Sequence, residues 1–464
     1  MDTHTQTVTA ASEREGPCDT PQPQLFLVMD RAHPLAGGAR HSLANIDRVT
    51  LGRGPARSAE RVVEDGVRTL RVRLPDARVS GAHATMERSP EGWRLVDHGS
   101  TNGSRVNGRD ARTATLADRD VVEIGHTFFR YRAGVPTPAD APGDVDAADL
   151  RDLPRSFATL SPGLTRELET LSRVARSEVP VLLRGETGTG KEVLARAVHE
   201  QSGRGGRFVA VNCAALPAPL VESLLFGHKR GAFSGAAQDE AGLVRSAQDG
   251  TLFLDEVGDL GAPAQAALLR VLQEREVLPV GETRAIKIDV RIVAATHRPI
   301  EELAEREAFR ADLLARIRGF TFSVPPLRRR IDDVGMLVAG LLSRVAADRA
   351  GSLVLAADLA CKMLEHDWPY NVREVEQRLR TAVVLAVDGR IQLAHAWSEG
   401  PAAPGSSAPA PRLSSEDEAL RTRIEASLSE HGGNVTRVGE ALGKRRTTVQ
   451  RWMRRLGIDP DRFR

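Results

Sequence analysis

Long apolar runs are missing from this 464-residue chain. No stretch approaches the roughly 18 apolar residues that a membrane-crossing helix needs. The first residues, Met1 to Gln24, are polar and hold no apolar segment of the kind a secretory leader requires. The expectation is a soluble, cytoplasmic protein. Cysteine is scarce: Cys18, Cys213 and Cys361 lie far apart, with no Cys-x-x-Cys and no metal-ligand spacing. That fits a reducing compartment. An excess of either charge is also absent. The formal net charge is +2, so nucleic-acid binding must come from a local patch. Lysine is rarest of the charged residues, five among 64 basic side chains.

One of those lysines closes the run Gly185-Glu186-Thr187-Gly188-Thr189-Gly190-Lys191. The apolar Val179-Pro180-Val181-Leu182-Leu183 precedes it, and a helical pattern from Glu192 to His199 follows. Strand, glycine loop, lysine and helix together form the context of a phosphate-binding loop. Its glycines let successive backbone N–H groups turn inward, and the helix N-terminus favours anions. Lys191 reaches the terminal phosphates as a point charge. A nucleoside triphosphate is the expected ligand. The Ser or Thr usual after the lysine, a magnesium ligand, is Glu192 here.

About sixty residues on, Thr251-Leu252-Phe253-Leu254 runs into Asp255 and Glu256. In a parallel sheet that strand ends beside the glycine loop. Asp255 is expected to organise Mg2+ and its water, and Glu256 to polarise the attacking water. The apolar strand Ile288 to Thr296 ends at His297, which should also face the nucleotide. Arg310 and Arg316 are six apart in a helical pattern. They suit a charge-stabilising role from a neighbouring subunit, and equally suit a solvated helix surface.

Composition divides the chain. Residues 1–23, rich in Thr, Ser, Gln and Pro, read as a disordered N-terminus. Residues 24–132 alternate apolar and polar positions between Gly, Asn, Asp and Pro turns, the pattern of a β-sandwich. Residues 133–149 read as a linker. Strands and helices alternate over 150–325, an α/β core, and the pattern over 331–394 is all helical. A second linker spans 395–412, and 413–464 forms a small all-α module.

The block 150–394 resembles the AAA+ domain of sigma-54-dependent transcriptional activators, the bacterial enhancer-binding proteins, with a core to 325 and a lid over 326–394. The decisive piece is Gly231-Ala232-Phe233-Ser234-Gly235-Ala236, similar to the family's GAFTGA loop that touches sigma-54. Val211 to Ala215, Leu225 to His228, Pro325 to Arg328 and Trp368 to Glu374 resemble further family motifs in the family's order. Glu192 is also what the family carries after the lysine. The resemblance implies ATP and Mg2+ as cofactors and a hexameric ring with active sites between subunits. It makes Asn212 the switch partner that restrains Glu256, Arg310 and Arg316 the trans-acting fingers, His297 a first sensor and Arg373 the lid sensor. Phe233 and Ser234 would form the tip that contacts sigma-54. Four positions depart from the family: Ser234 for Thr, Lys229 for a frequent Glu, His297 for Asn and Tyr370 for Gly.

The two ends carry their own resemblances. Residues 431–464 hold nine basic and three acidic residues, a local charge of +6. Val449, Trp452, Met453 and Leu456 recur at helical spacing as a core face. Arg446, Thr447, Thr448, Gln450, Arg451 and Arg454 remain for base edges and phosphates. This resembles a Fis-type helix-turn-helix, which implies double-stranded DNA as partner and dimeric binding. Arg53, Ser80, His83, Thr101 and Asn102, with Asn-Gly turns between strands, resemble the forkhead-associated (FHA) domain, a phosphothreonine reader. Arg53 and Ser80 would take the phosphate, Thr101 and Asn102 phosphate and peptide backbone, and His83 would brace the loops. Gly81 stands where a basic residue is frequent.

The order sensor, motor, DNA reader implies an activator that couples ATP hydrolysis to open-complex formation by sigma-54 RNA polymerase. A phosphothreonine signal, on another protein or on this chain, would regulate it. Two other readings stay open: a DNA-binding regulator that does not act through sigma-54, and a phosphopeptide-gated scaffold whose ATPase controls assembly.

Overall fold

The computed structural model describes residues 19–397, the helix Ser415–Glu430 with His431, and positions 437, 438, 441, 442, 449, 452 and 453. The chain divides into two compact units, Met1–Ser398 and Glu399–Arg464.

The first unit begins with two antiparallel-rich sheets of seven and six strands. Long strands Thr20–Asp30 and Thr127–Thr137 pair along their length, with Leu25 opposite Tyr131. Leu25, Leu27, Leu51, Val72, Trp93, Leu95 and Phe129 fill the space between the sheets. The run from Leu25 to Met29 is apolar at every position and buried at every position. Leu25 and Leu27 face the sandwich core, while Phe26, Val28 and Met29 belong to a second core shared with the lid helices. Continuous rather than alternating hydrophobicity is what a strand covered on both faces requires.

Two boundaries read from composition are corrected. The first strand begins at Thr20, inside the expected disordered segment, because Thr20 pairs with Thr137. Residues 133–149 are no free linker: the last sandwich strand runs to Thr137, and Asp144–Asp146 pairs with Ala39–Ser42. Backbone pairing tolerates Pro21, Pro23 and Pro136 because these strand ends, bulged at Pro23, run past the pairing of both strands with their other neighbours, where a missing N–H costs little.

The α/β core is a five-stranded parallel sheet in the order Phe208–Asn212, Thr251–Asp255, Arg291–Thr296, Val181–Arg184, Phe320–Ser323. All five carboxyl ends therefore lie on one edge. Leu182, Leu252, Leu254, Ile292 and Ala294 point into one apolar layer and Leu183, Phe253, Val293 and Ala295 into the other. Each buried Leu, Ile, Val or Phe among them is worth about 1.5–3 kcal/mol. The lid contains helices Val334–Val345, Ala357–Glu365 and Asn371–Leu385. It is not purely helical, since Val354–Leu355 and Arg390–Ile391 pair as a short parallel ladder.

The lid also carries the sandwich. Asp332 accepts Arg132 at 2.7 Å and Arg130 at 3.2 Å. A Cβ on Gly335 would strike the Val28 carbonyl, so only glycine lets the lid helix approach that strand. Next to this seam, Asp333 accepts the Leu160 N–H and the Thr159 hydroxyl, both at 2.7 Å.

In the second unit, Ile424 and Leu428 of the helix Ser415–Glu430 are buried with Val438, Val449 and Met453. Val449 and Met453 thus occupy the core as the helical spacing anticipated. No helix among the described residues is long and apolar enough to cross a membrane.

Candidate active site

The glycine loop leaves the strand Val181–Arg184 at the carboxyl edge and enters the helix Lys191–Ser202. Gly188 and Gly190 have φ of 79° and 100°, conformations that a side chain disfavours. Lys191 is buried and donates to the carbonyls of Gly185 (2.9 Å) and Glu186 (3.2 Å). Its ammonium lies 3.8 Å from Glu256.

The loop is stitched to the lid. Arg328 grips the Glu186 carboxylate with two bonds, 2.8 and 2.5 Å. Asn371 donates to Glu186 (3.2 Å) and to the Thr187 carbonyl (3.0 Å). The Arg328 hydrogen bond holds the Glu186 pKa down at about 2. The Arg373 N–H donates to the Gly188 carbonyl, while its side chain is exposed.

Asp255 and Glu256 end the second strand of the sheet. Burial, reinforced by neighbouring Glu256, pushes the Asp255 pKa up. Glu256 sits at φ 53°, an uncommon left-handed conformation for a residue with a side chain. Its carboxylate accepts the His297 N–H (3.1 Å) and meets the His297 Nδ1 at 2.7 Å. Asn212, expected to hold Glu256, instead accepts the Ala214 N–H at 3.0 Å and caps the turn Cys213–Ala215. Both residues stand at strand ends, but Asn212 satisfies its own turn and His297 takes the glutamate.

Among the described residues, no three His, Cys, Asp or Glu side chains converge on a metal cage. The donor set nonetheless fits magnesium, which binds one or two carboxylates and completes its shell with phosphates and water. The Asp255 carboxylate is engaged here by one backbone N–H, that of Glu256 at 3.2 Å. Glu192 turns away to Arg196, at 3.3 Å.

The two candidate finger arginines differ. Arg310 is pinned to Asp312 at 2.7 and 3.1 Å. Arg316 is exposed and makes no ion pair among the described residues. A residue the sequence reading passed over, Arg330, lines the cavity beside the glycine loop. It donates to the Thr189 carbonyl at 3.1 Å, and its Nε has no partner among the described residues. Burial pulls its pKa down. Its only signal was position, two residues after Arg328. Asn371, counted in the Trp368 to Glu374 motif but given no role of its own, is fully buried and bonded to the loop.

The Gly231–Ala236 loop folds into a closed turn. The Gly231 N–H donates to the Ala236 carbonyl (2.9 Å) and the Ala236 N–H to that of Phe233 (3.1 Å). Phe233 is half-buried, 5.0 Å from the His228 ring, and Ser234 is exposed. Lys229 pairs with Asp239 at 2.8 Å, and its N–H meets the Val280 carbonyl. Val280 belongs to a hairpin, Glu276–Val277 with Ile286–Lys287, that alternation alone did not reveal.

At one end of the sandwich, Ser80, Thr101 and Asn102 converge. The Thr101 N–H reaches the Ser80 hydroxyl at 3.3 Å, and Asn102 donates to the Arg78 carbonyl at 2.9 Å. His83, fully buried, accepts the Ser80 N–H at 3.1 Å and braces the Gly103 carbonyl at 3.2 Å. Arg53 is exposed, with its N–H bonded to the Ser80 carbonyl. The candidate DNA residues Arg446, Thr447, Thr448, Gln450, Arg451 and Arg454 lie outside the described residues.

Residues 157–323 match the family model described as the sigma-54 interaction domain, 42–125 the FHA domain and 328–407 the AAA+ ATPase lid domain. The chain is 42% identical over 305 residues to the hydrogenase transcriptional regulatory protein HoxA of Cupriavidus necator, covering 63% of each. It is 40% identical over 323 residues to the transcriptional regulatory protein GlrR of Escherichia coli K12, covering 67% of this chain and 70% of that one. The chain thus spans somewhat under two thirds of the HoxA regulator's length. Among solved structures, NtrX of Brucella abortus is similar, with 29% identity over 67% of this chain and 70% of that one and a TM-score of 0.49. The chain belongs to the family of sigma-54-dependent transcriptional regulators, with an AAA+ ATPase module and, ahead of it, an FHA domain.

Proposed function

We propose that this chain is an activator that binds DNA and uses ATP hydrolysis to drive sigma-54 RNA polymerase to the open complex, under phosphothreonine control. One observation carries the reading. The roots of the Gly231–Ala236 loop, Phe226 and Val244, are buried in the same core as Leu252 and Leu254, on the strand that delivers Asp255 and Glu256. A shift at the strand end is thereby transmitted to the loop through packed side chains, which do not deform continuously.

The residues divide the work as follows. The backbone N–H groups of Gly188 to Lys191 and the Lys191 ammonium hold the phosphates. Bound Mg2+, steadied by Asp255, supplies charge neutralisation on the phosphate oxygens. Glu256 takes the proton of the attacking water once it leaves His297. Arg316, without an ion pair among the described residues, serves the neighbouring site of a hexameric ring, with Arg310 beside it. Arg373 reads the nucleotide from the lid. Phe233 and Ser234 meet sigma-54 when the turn opens. Arg53, Ser80, Thr101 and Asn102 receive the phosphothreonine peptide, and Arg446 to Arg454 the enhancer DNA, as dimers that assemble further.

Open-complex formation in a purified sigma-54 transcription system tests this. The wild type is expected to form ATP-dependent open complexes, and Glu256→Ala and Phe233→Ala none. Open complexes that persist in Glu256→Ala would overturn the motor reading. Activity that persists only in Phe233→Ala would remove the loop from it.

A further inference from the structure

The cavity beside the glycine loop has a volume of about 510 Å³. Thr189, Gly190 and Val193 line its phosphate side and Met336, Leu337 and Gly340 its lid side. The sandwich supplies a further part of the wall, beside Leu150, Arg151 and Arg155 of the segment leading into the α/β core: Leu35, Ala36 and Gly37, with Ala147 and Ala148 just after the strand Asp144–Asp146. The four side chains it supplies are apolar, and Gly37 has none. They suit the flat face of a base and offer nothing to a phosphate.

A single side chain ties both halves of that part. Arg57 donates to the Ala36 carbonyl at 2.8 Å, to the Gly37 carbonyl at 3.2 Å and to Asp146 at 2.6 Å. Asp146 in turn accepts the Ala148 N–H at 2.9 Å. The two halves touch closely: a Cβ on Gly37 would lie 2.7 Å from that of Ala147, and Gly37 holds φ 66°. Arg57 is itself four residues beyond Arg53, in the loop between strands Arg48–Arg53 and Ser58–Glu64.

We infer that the sandwich is a structural part of the nucleotide site, forming part of its base-side wall, and that Arg57 is the positioning residue for that part. The inference rests on the proposed ATP reading of the crevice. A planar fork bonded to two carbonyls and a carboxylate fixes both stretches at once, which no point charge could do. Nucleotide affinity and base preference are therefore set partly by the domain that precedes the motor.

Isothermal titration of the full chain with the imidodiphosphate analogues of ATP and UTP tests it. The variants are Arg57→Ala, Ala36→Phe, Lys191→Ala and, as control, Arg68→Ala, which breaks an exposed sandwich pair with Asp47 away from the wall. Arg57→Ala and Ala36→Phe are expected to lose about tenfold in affinity for the ATP analogue, with a narrower preference over the UTP analogue. Arg68→Ala should bind as the wild type does. Ala36→Phe decides if Arg57→Ala does not fold. Unchanged affinity in both wall variants, an unchanged ATP-to-UTP ratio, or an equal loss in Arg68→Ala overturns the inference alone. Equal binding by wild type and Lys191→Ala overturns the ATP reading, and the inference with it.

Discussion

The phosphate crevice and the seam between sandwich and lid are built from opposite materials. At the seam, apolar side chains interlock and charges are matched: Asp332 holds both Arg130 and Arg132, and Gly335 admits the Val28 carbonyl. In the crevice, groups are held provisionally. Lys191 rests on its own loop's carbonyls, Glu256 leans on His297 from a left-handed backbone, and Arg316 has no ion pair among the described residues. Fully satisfied interiors resist change, whereas strained or unpaired polar groups are characteristic of sites that act. The difference teaches that the sandwich rides on the lid as one body, while motion is concentrated around the nucleotide.

The largest expected effect that sharpens this contrast lies in the crevice. Arg316→Ala should lower ATP turnover about 10³-fold or more while leaving nucleotide affinity and melting temperature unchanged, as a group acting across subunits would. Steady-state hydrolysis with a parallel melt checks it. A stability change instead would make Arg316 part of its own fold.

The seam answers differently. Asp332→Ala leaves the largely buried Arg130 guanidinium without its carboxylate and Arg132 with Asp118 alone, a loss of about 3 kcal/mol. Calorimetry should show the melting temperature falling by several degrees, with the intrinsic affinity of the crevice for phosphates unaltered. An unchanged melt would mean that the seam is no rigid joint.

A smaller effect has the opposite sign. Burial and the adjacent Glu256 raise the Asp255 pKa, so its ionised form destabilises the empty site. Asp255→Asn should therefore raise the melting temperature of nucleotide-free protein by about 2–4 °C and abolish hydrolysis. A lower melting temperature would contradict the crevice as a place of stored electrostatic strain.

The smallest effect concerns the clamp between loop and lid. Because Arg328 depresses the Glu186 pKa to about 2, the pair's contribution is present above the usual carboxylate range and is lost as pH falls toward 2. Glu186→Gln should flatten the acid limb of an acid-unfolding profile between about pH 4.5 and 2. An identical limb would show that the clamp adds nothing.

The sequence made the crevice legible because parallel strands must end together, so Lys191, Asp255 and His297 share an edge whatever their rotamers. Rotamers are what spacing could not supply. Asn212 and His297 both reach the edge, and only the turn at Ala214 shows why Asn212 is occupied while His297 takes Glu256. The strand from Leu25 to Met29 was legible as a strand but as an alternating one, whereas its unbroken hydrophobicity reflects cover on both faces, by the second sheet and by the lid. Residues 133–149 misled because Pro, Ala and Asp describe side chains, whereas the pairing of Asp144–Asp146 is made by backbone. Arg57 was silent for a similar reason: its partners, two carbonyls and the distant Asp146, are brought near by the fold.

Hydrogen exchange, with and without a transition-state mimic of ATP, addresses the central contrast most directly. Nucleotide should change the protection of amides 229–237 and 255–257 and leave the seam strand Thr20–Asp30 as it was. Exchange that changes at the seam while the 229–237 loop stays constant would contradict a motor whose output is that loop.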